Sequence, residues 1–254
     1  MMLVNTLRAE WTKLSTTRSF WLTSAVFFLL TWGWSALNAF STRQTPETAM
    51  FLSPESSATA VWMLGLPVLM IQSIMIITTE YRYNIQTNVY MANPNRPMVA
   101  VVKLVMYAVI SALLVFLAVV GVYLLTQAIA GDVAPDYDPW NSESARRFLW
   151  VYPLVMAAMV LFSQGMGLLL RQTAGTVAIC LILNLGIDQL IGQLPKFGEH
   201  IGPFMPFTAL QNWIFETVPE KAVWDANWMN LVIFLLWAGG LWLLGVFLLH
   251  KRDA

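Results

Sequence analysis

The sequence predicts an all-α membrane protein with six transmembrane helices, and three observations carry that prediction. Of 254 residues, 58% are hydrophobic and only 11% charged, far from the composition of a soluble domain. Apolar runs at 20–40, 58–79, 98–130, 148–170, 174–194 and 228–249 reach or exceed the ~18 residues that read as a membrane-crossing helix. Lysine and arginine are spread unevenly over the segments that join them.

Residues 1–19 precede the first run. Val4, Leu7, Trp11 and Leu14 recur at helical spacing while Arg8, Glu10 and Lys13 fall elsewhere, which predicts an amphipathic helix lying in the membrane interface. The first span, at about 20 residues, is too long for a signal-peptide core and is expected to stay as an anchor. Pro67 falls in the middle of the second span, where a membrane helix tolerates a kink.

Residues 80–97 form a polar island between two apolar segments. Ile85, Val89 and Ala92 lie three and four apart, so the island reads as a short helix of its own. Pro94 and Pro97 are expected to stop it. The third span is longer than the ~30 Å hydrocarbon core at ~1.5 Å per residue. It must tilt or project, and Lys103 is expected to place its first turn in water.

An acidic loop, 131–147, carries Asp132, Asp136, Asp138 and Glu143. The fourth span ends at Arg171-Gln172-Thr173. The connection 195–227 holds Pro203, Pro206 and Pro219, and its Phe207, Leu210, Ile214 and Phe215 predict short re-entrant or interfacial helices. The sixth span ends in Lys251-Arg252. No internal repeat or domain boundary is evident, and the spans are expected to form one bundle.

An even number of spans puts both termini on one side. Arg8, Lys13, Arg18, Arg82, Arg96, Lys103, Arg171, Lys251 and Arg252, nine of the fourteen basic residues, lie there with the island. The other side has Arg43, Arg146, Arg147, Lys196 and Lys221, and ten acidic residues against Glu10, Glu80 and Asp253. The positive-inside rule makes the termini and the island cytoplasmic. Trp62, Trp140, Trp150, Trp213, Trp224 and Trp228 then form an outer aromatic belt.

Site chemistry is sparse. No Gly-x-x-x-x-Gly-Lys loop is present to cradle phosphates, and no Gly-x-Ser-x-Gly elbow. His200 and His250 fall on opposite sides and make no zinc pair. Asp132, Asp136 and Asp138 lack the glycine turn and terminal glutamate of a calcium loop. Cys180 is the one cysteine, so no intrachain disulfide forms. Asp188 is the one carboxylate within a predicted span, which marks it either as functional or as reaching the nearby interface. Asn184, four residues earlier, shares its face.

Four places resemble the permease subunits of bacterial ABC transporters of the type-2 exporter family. Leu7-Arg8-Ala9-Glu10-Trp11-Thr12-Lys13-Leu14, with Thr17-Arg18-Ser19-Phe20-Trp21, looks like the family's connecting helix and first-span entry. Glu80-Tyr81-Arg82 is similar to the start of its coupling segment. Gly167-Leu-Leu-Leu-Arg171-Gln-Thr-Ala-Gly175 resembles the turn between its fourth and fifth spans. Met205-Pro206-Phe207-Thr-Ala-Leu210 resembles its outer helices. Where the family often has His-Gly-Thr-Ile-Arg, this chain has Tyr83-Asn84-Ile85-Gln86, without the glycine and the basic residue.

The resemblance implies an exporter permease in the bacterial plasma membrane, paired with a second permease subunit and surrounded by lipid. Separate ABC ATPase subunits would bind ATP and Mg, so this chain needs no cofactor, and no nucleic-acid partner is implied. Glu80, Tyr81, Arg82, Tyr83, Tyr90, Met91 and Arg171 are the implied ATPase contacts. Gln72, Thr176, Asn184 and Asp188, on the second and fifth spans, are implied wall residues for an amphiphilic or hydrophobic substrate. An ion-coupled secondary transporter using Asp188, or a scaffold or sensor recruiting a partner through the island, are the alternatives.

Overall fold

The computed structural model describes residues 2–93, 95–194, 197–219 and 222–251. The expected helix stop at Pro94 and the charges of Lys196, Lys221, Arg252 and Asp253 lie outside them. The helices of seven residues or more are α1 (Met2–Thr16), α2 (Arg18–Gln44), α3 (Pro54–Arg82), α4 (Gln86–Ala92), α5 (Arg96–Ala130), α6 (Glu143–Leu170), α7 (Thr173–Gly192), α8 (Pro206–Ile214) and α9 (Trp228–Lys251). No strand occurs among the described residues. Six of them, α2, α3, α5, α6, α7 and α9, are long and apolar enough to cross a membrane, matching the six predicted spans. At 35 residues α5 is about 52 Å long, well beyond the ~30 Å hydrocarbon core.

The chain forms two compact units, and the division falls inside α1, α3, α5 and α6. The first unit comprises residues 12–72 and 109–157. Here α3 starts from a capping box, in which Ser53 and Ser56 exchange backbone-to-hydroxyl hydrogen bonds around Pro54. Before Pro67 the helix widens into a π-turn, Val61–Gly65, with the Leu66 N–H donating to the Val61 carbonyl. The wider turn accommodates a proline ring that would otherwise crowd the preceding turn. Several polar groups pair between helices, as an apolar surrounding favours. The Trp32 indole donates to the Ala118 carbonyl at 3.2 Å, the Ser35 and Thr126 hydroxyls meet at 2.8 Å, and the Gln72 amide donates to the Phe20 carbonyl at 2.8 Å.

The second unit comprises residues 1–11, 73–108 and 158–254. Phe162 of α6, Phe207 of α8 and Phe234 of α9 form a triangle of rings with centroids 5.2–5.8 Å apart, a geometry that adds to simple area burial. Ile77, Ala100, Leu168 and Leu249 make a second buried cluster, flanked by Tyr81, Trp242 and Val246. The amphipathic row expected in the connection before the sixth span is helix α8, with Phe207, Leu210 and Ile214 buried, and it packs on α9.

Two features differ from the sequence expectation. The fifth span, expected as an unbroken helix, is interrupted at Gly186, whose φ of +116° is open to glycine and strained for other residues. The row on α1 divides: Val4, Leu7 and Trp11 are exposed, whereas Glu10 and Leu14 are buried. Glu10 is three residues from Leu7 and four from Leu14, so it lies beside the apolar stripe rather than on a solvated face.

Candidate functional site

The polar island and the ends of the helices that flank it lie within the second unit. Helix α3 runs through Glu80-Tyr81-Arg82, which therefore form its last turn. It stops at Asn84, which takes φ +53°. The Asn84 N–H donates to the Tyr81 carbonyl at 3.3 Å and the Ile85 N–H to the Glu80 carbonyl at 2.9 Å. That pair of bonds is a Schellman termination, and asparagine is the residue other than glycine that best tolerates the left-handed position.

Helix α4 follows at once and is pinned at its far end. The Asn93 amide donates to the Thr6 hydroxyl of α1 at 2.9 Å, and its Oδ1 accepts the Asn95 N–H at 3.1 Å. Asn95 Oδ1 then accepts the Met98 N–H at 3.2 Å, an N-cap for α5.

Beneath this turn lies a buried ion cluster. Lys103 Nζ sits 2.5 Å from Glu10 Oε2 and 2.6 Å from Glu80 Oε1, with the Lys103 and Glu10 side chains only 5% and 4% exposed. The expectation that Lys103 places the first turn of its span in water is therefore wrong. An ammonium can be buried at this depth because two carboxylates, from α1 and α3, compensate it. Glu10, expected on the solvated face of α1, is one of them.

Of the residues implied as partner contacts, Glu80, Tyr81, Tyr90 and Arg171 face inward. The Arg171 guanidinium lies 4.9 Å over the Tyr81 ring, and that of Arg96 lies 5.1 Å over Tyr90, both within cation–π range. Arg96 also donates to the Leu249 carbonyl at 2.8 Å, satisfying the end of α9. Burial pushes the Tyr90 hydroxyl above the usual tyrosine range, so it stays protonated at neutral pH. Arg171 itself takes φ +52° in ending α6, and its N–H donates to the Gly167 carbonyl at 2.9 Å.

The others face outward. Tyr83 and Met91 are 62% and 73% exposed, Ile85 is also exposed, and Arg82 stacks on the neighbouring Tyr83 ring at 5.6 Å. Val89 is half-buried, and the Ala92 side chain lies outside those described. Glu80 serves the buried cluster. The site is thus a turn and a short helix, with Tyr83 and Ile85 exposed before the helix and Met91 exposed near its end, next to a buried charge-paired cluster.

The residues implied as wall positions are placed as follows. Gln72 is buried and bonded within its own unit to Phe20 and Thr23. Thr176 is buried and donates to the Gln172 carbonyl at 2.6 Å. Asn184 is half-buried. Asp188 is 1% exposed, and its Oδ2 accepts the Phe207 N–H at 2.7 Å.

These features define a polytopic helical membrane protein built to present a short exposed helix between its second and third spans. The sequence model of the ABC-2 family transporter protein family matches residues 6–187, and the chain belongs to that family. It is an ABC transporter permease subunit, a component of transport rather than a catalytic domain. Among curated proteins, none matches the chain.

Proposed function

We propose that this chain is the membrane-spanning subunit of an ATP-driven exporter that moves an amphiphilic or hydrophobic substrate outward. Separate ABC ATPase subunits hold the ATP and Mg, and a second permease subunit, identical or related, completes the membrane part. The chain crosses a bacterial plasma membrane with both termini and helix α4 on the cytoplasmic side, as the lysine and arginine bias supports.

The observation that carries this reading is the exposure of Tyr83, Ile85 and Met91 along the turn and helix that follow the Lys103 ion cluster. Large apolar side chains held out from a rigid support suit a groove in a partner, where aromatic residues tend to supply much of the contact energy. Glu80, Tyr81, Tyr90 and Arg171 hold the surrounding helix ends, and Arg82 borders Tyr83. ATP-dependent closure of the ATPase pair then pushes on α4, and the spans respond because the two states differ in their contacts there. On the fifth span Asn184 is the wall position with open side-chain surface; Thr176 and Asp188, and Gln72 on the second span, act through the helices they hold.

Reconstitution tests the reading. The purified chain alone should show no ATP turnover, and co-reconstitution with its ABC ATPase should give ATP-dependent release of an amphiphilic probe from vesicles. Turnover by the purified chain alone, free of contaminating ATPase, would remove the permease reading.

A further inference from the structure

Asp188 and helix α8 invite a different account, and it draws on residues beyond the family match, which stops at residue 187. Helix α8 begins with Pro206, which has no N–H, preceded by Met205 in the extended conformation of an N-cap, with φ −70° and ψ 137°. A methionine side chain cannot accept a hydrogen bond from the exposed N–H groups of the first turn, and no side-chain cap comes from Met205. The Phe207 N–H instead donates to Asp188 Oδ2, from a residue nineteen positions earlier in the chain. A carboxylate there also meets the positive end of the helix dipole, which compensates a charge that is otherwise expensive inside a membrane protein.

The presentation of Asp188 depends on Gly186. The chain turns at its φ of +116°, and helix resumes at Asp188–Gly192. This short piece is tied to the connection at two further points. The Gln189 amide donates to the Gln211 side-chain oxygen of α8. The backbones of Gly192 and Gly202 approach so closely that a Cβ on Gly202 would lie 2.9 Å from the Gly192 Cα.

We propose that Asp188 is a positioning residue, the N-cap of α8 supplied from the fifth span, and that it fixes where α8 sits against residues 188–192. Asp188 acts as an acceptor, not as a proton carrier or a substrate ligand. The inference stands without an ATPase partner, so its test does not depend on the proposed function.

The test uses Ala209→Cys on the buried face of α8, fully covered in the structure, in a Cys180→Ala background, with the full chain in lipid nanodiscs. The readout is the rate of maleimide modification. Asp188→Ala should raise that rate about tenfold, the scale on which loss of a cap acts. Asp188→Asn keeps an acceptor oxygen and should leave the rate within about twofold of the parent, a scale far below a lost cap. Asp188→Ala combined with Met205→Asp, which places a carboxylate at the N-cap position itself, should restore the parent rate. An unchanged rate in Asp188→Ala overturns the cap. So does an Asn variant as reactive as the Ala variant, which would make the charge the essential property, or failure of Met205→Asp to restore protection. Should Asp188→Ala fail to fold, the Asn variant decides alone: parent-like protection supports the acceptor role, and its loss overturns it.

Discussion

Lys103 shows how much a single side chain can organise here. It joins α1, α3 and α5 through two carboxylates, and removing one member of such a buried group leaves charge uncompensated. Lys103→Ala should therefore cost about 3–5 kcal/mol in thermal or denaturant unfolding of the nanodisc-embedded chain. Glu10→Gln should cost less, since Glu80 remains. A Lys103→Ala variant as stable as the parent would show that the cluster is not a structural tie. Asn84 allows a second test at this scale. Asn84→Gly should be neutral, whereas Asn84→Val forces a β-branched residue to φ +53° and should cost about 1–2 kcal/mol, measured by the same unfolding experiment. Equal stability of the two variants would contradict the Schellman turn. Neither role is visible in the sequence. Glu10 and Lys103 are 93 positions apart, and a lone lysine five residues into an apolar run reads as an end that reaches water. The spacing of Glu10 from Leu7 and Leu14 was the available signal.

Helices were more legible than side-chain partners. The six spans follow from the length of apolar runs, and α4 from the period of Ile85, Val89 and Ala92, because both signals are local. The break in α7 was not legible, since a glycine within an apolar run is compatible with continuous helix until tertiary contacts select the turn. The bonds from residues 188 and 189 to α8 are of that kind. Gly186→Val should strain a backbone held at φ +116° by about 1–3 kcal/mol, lowering the unfolding midpoint. A midpoint equal to the parent's would mean that the fifth span runs straight in the membrane. The capping of α8 was hidden for a related reason, as sequence rules look for a cap at Met205 and not nineteen residues before the capped N–H.

Across the whole molecule, the proposed coupling depends on which way the spans face and on what meets Tyr83, Ile85 and Met91. Cysteines at Ser56 and Glu143, both exposed in the first turn of a span, should react with an impermeant thiol reagent applied to intact cells, and one at Arg8 should not. The reverse pattern would invert the proposed topology. Family membership accounts for the transport role, and the substrate class rests on the apolar character of the spans.

In the proposed coupling, Tyr83 and Met91 form the seat through which the ATPase drives the spans. It is tested most directly by the ATPase activity of the co-purified complex, with and without an amphiphilic transport probe. Tyr83→Ala with Met91→Ala should release the ATPase or abolish probe-coupled hydrolysis, while the permease still inserts, because both side chains are exposed. A double variant that retains its ATPase with full probe-coupled activity would contradict the account.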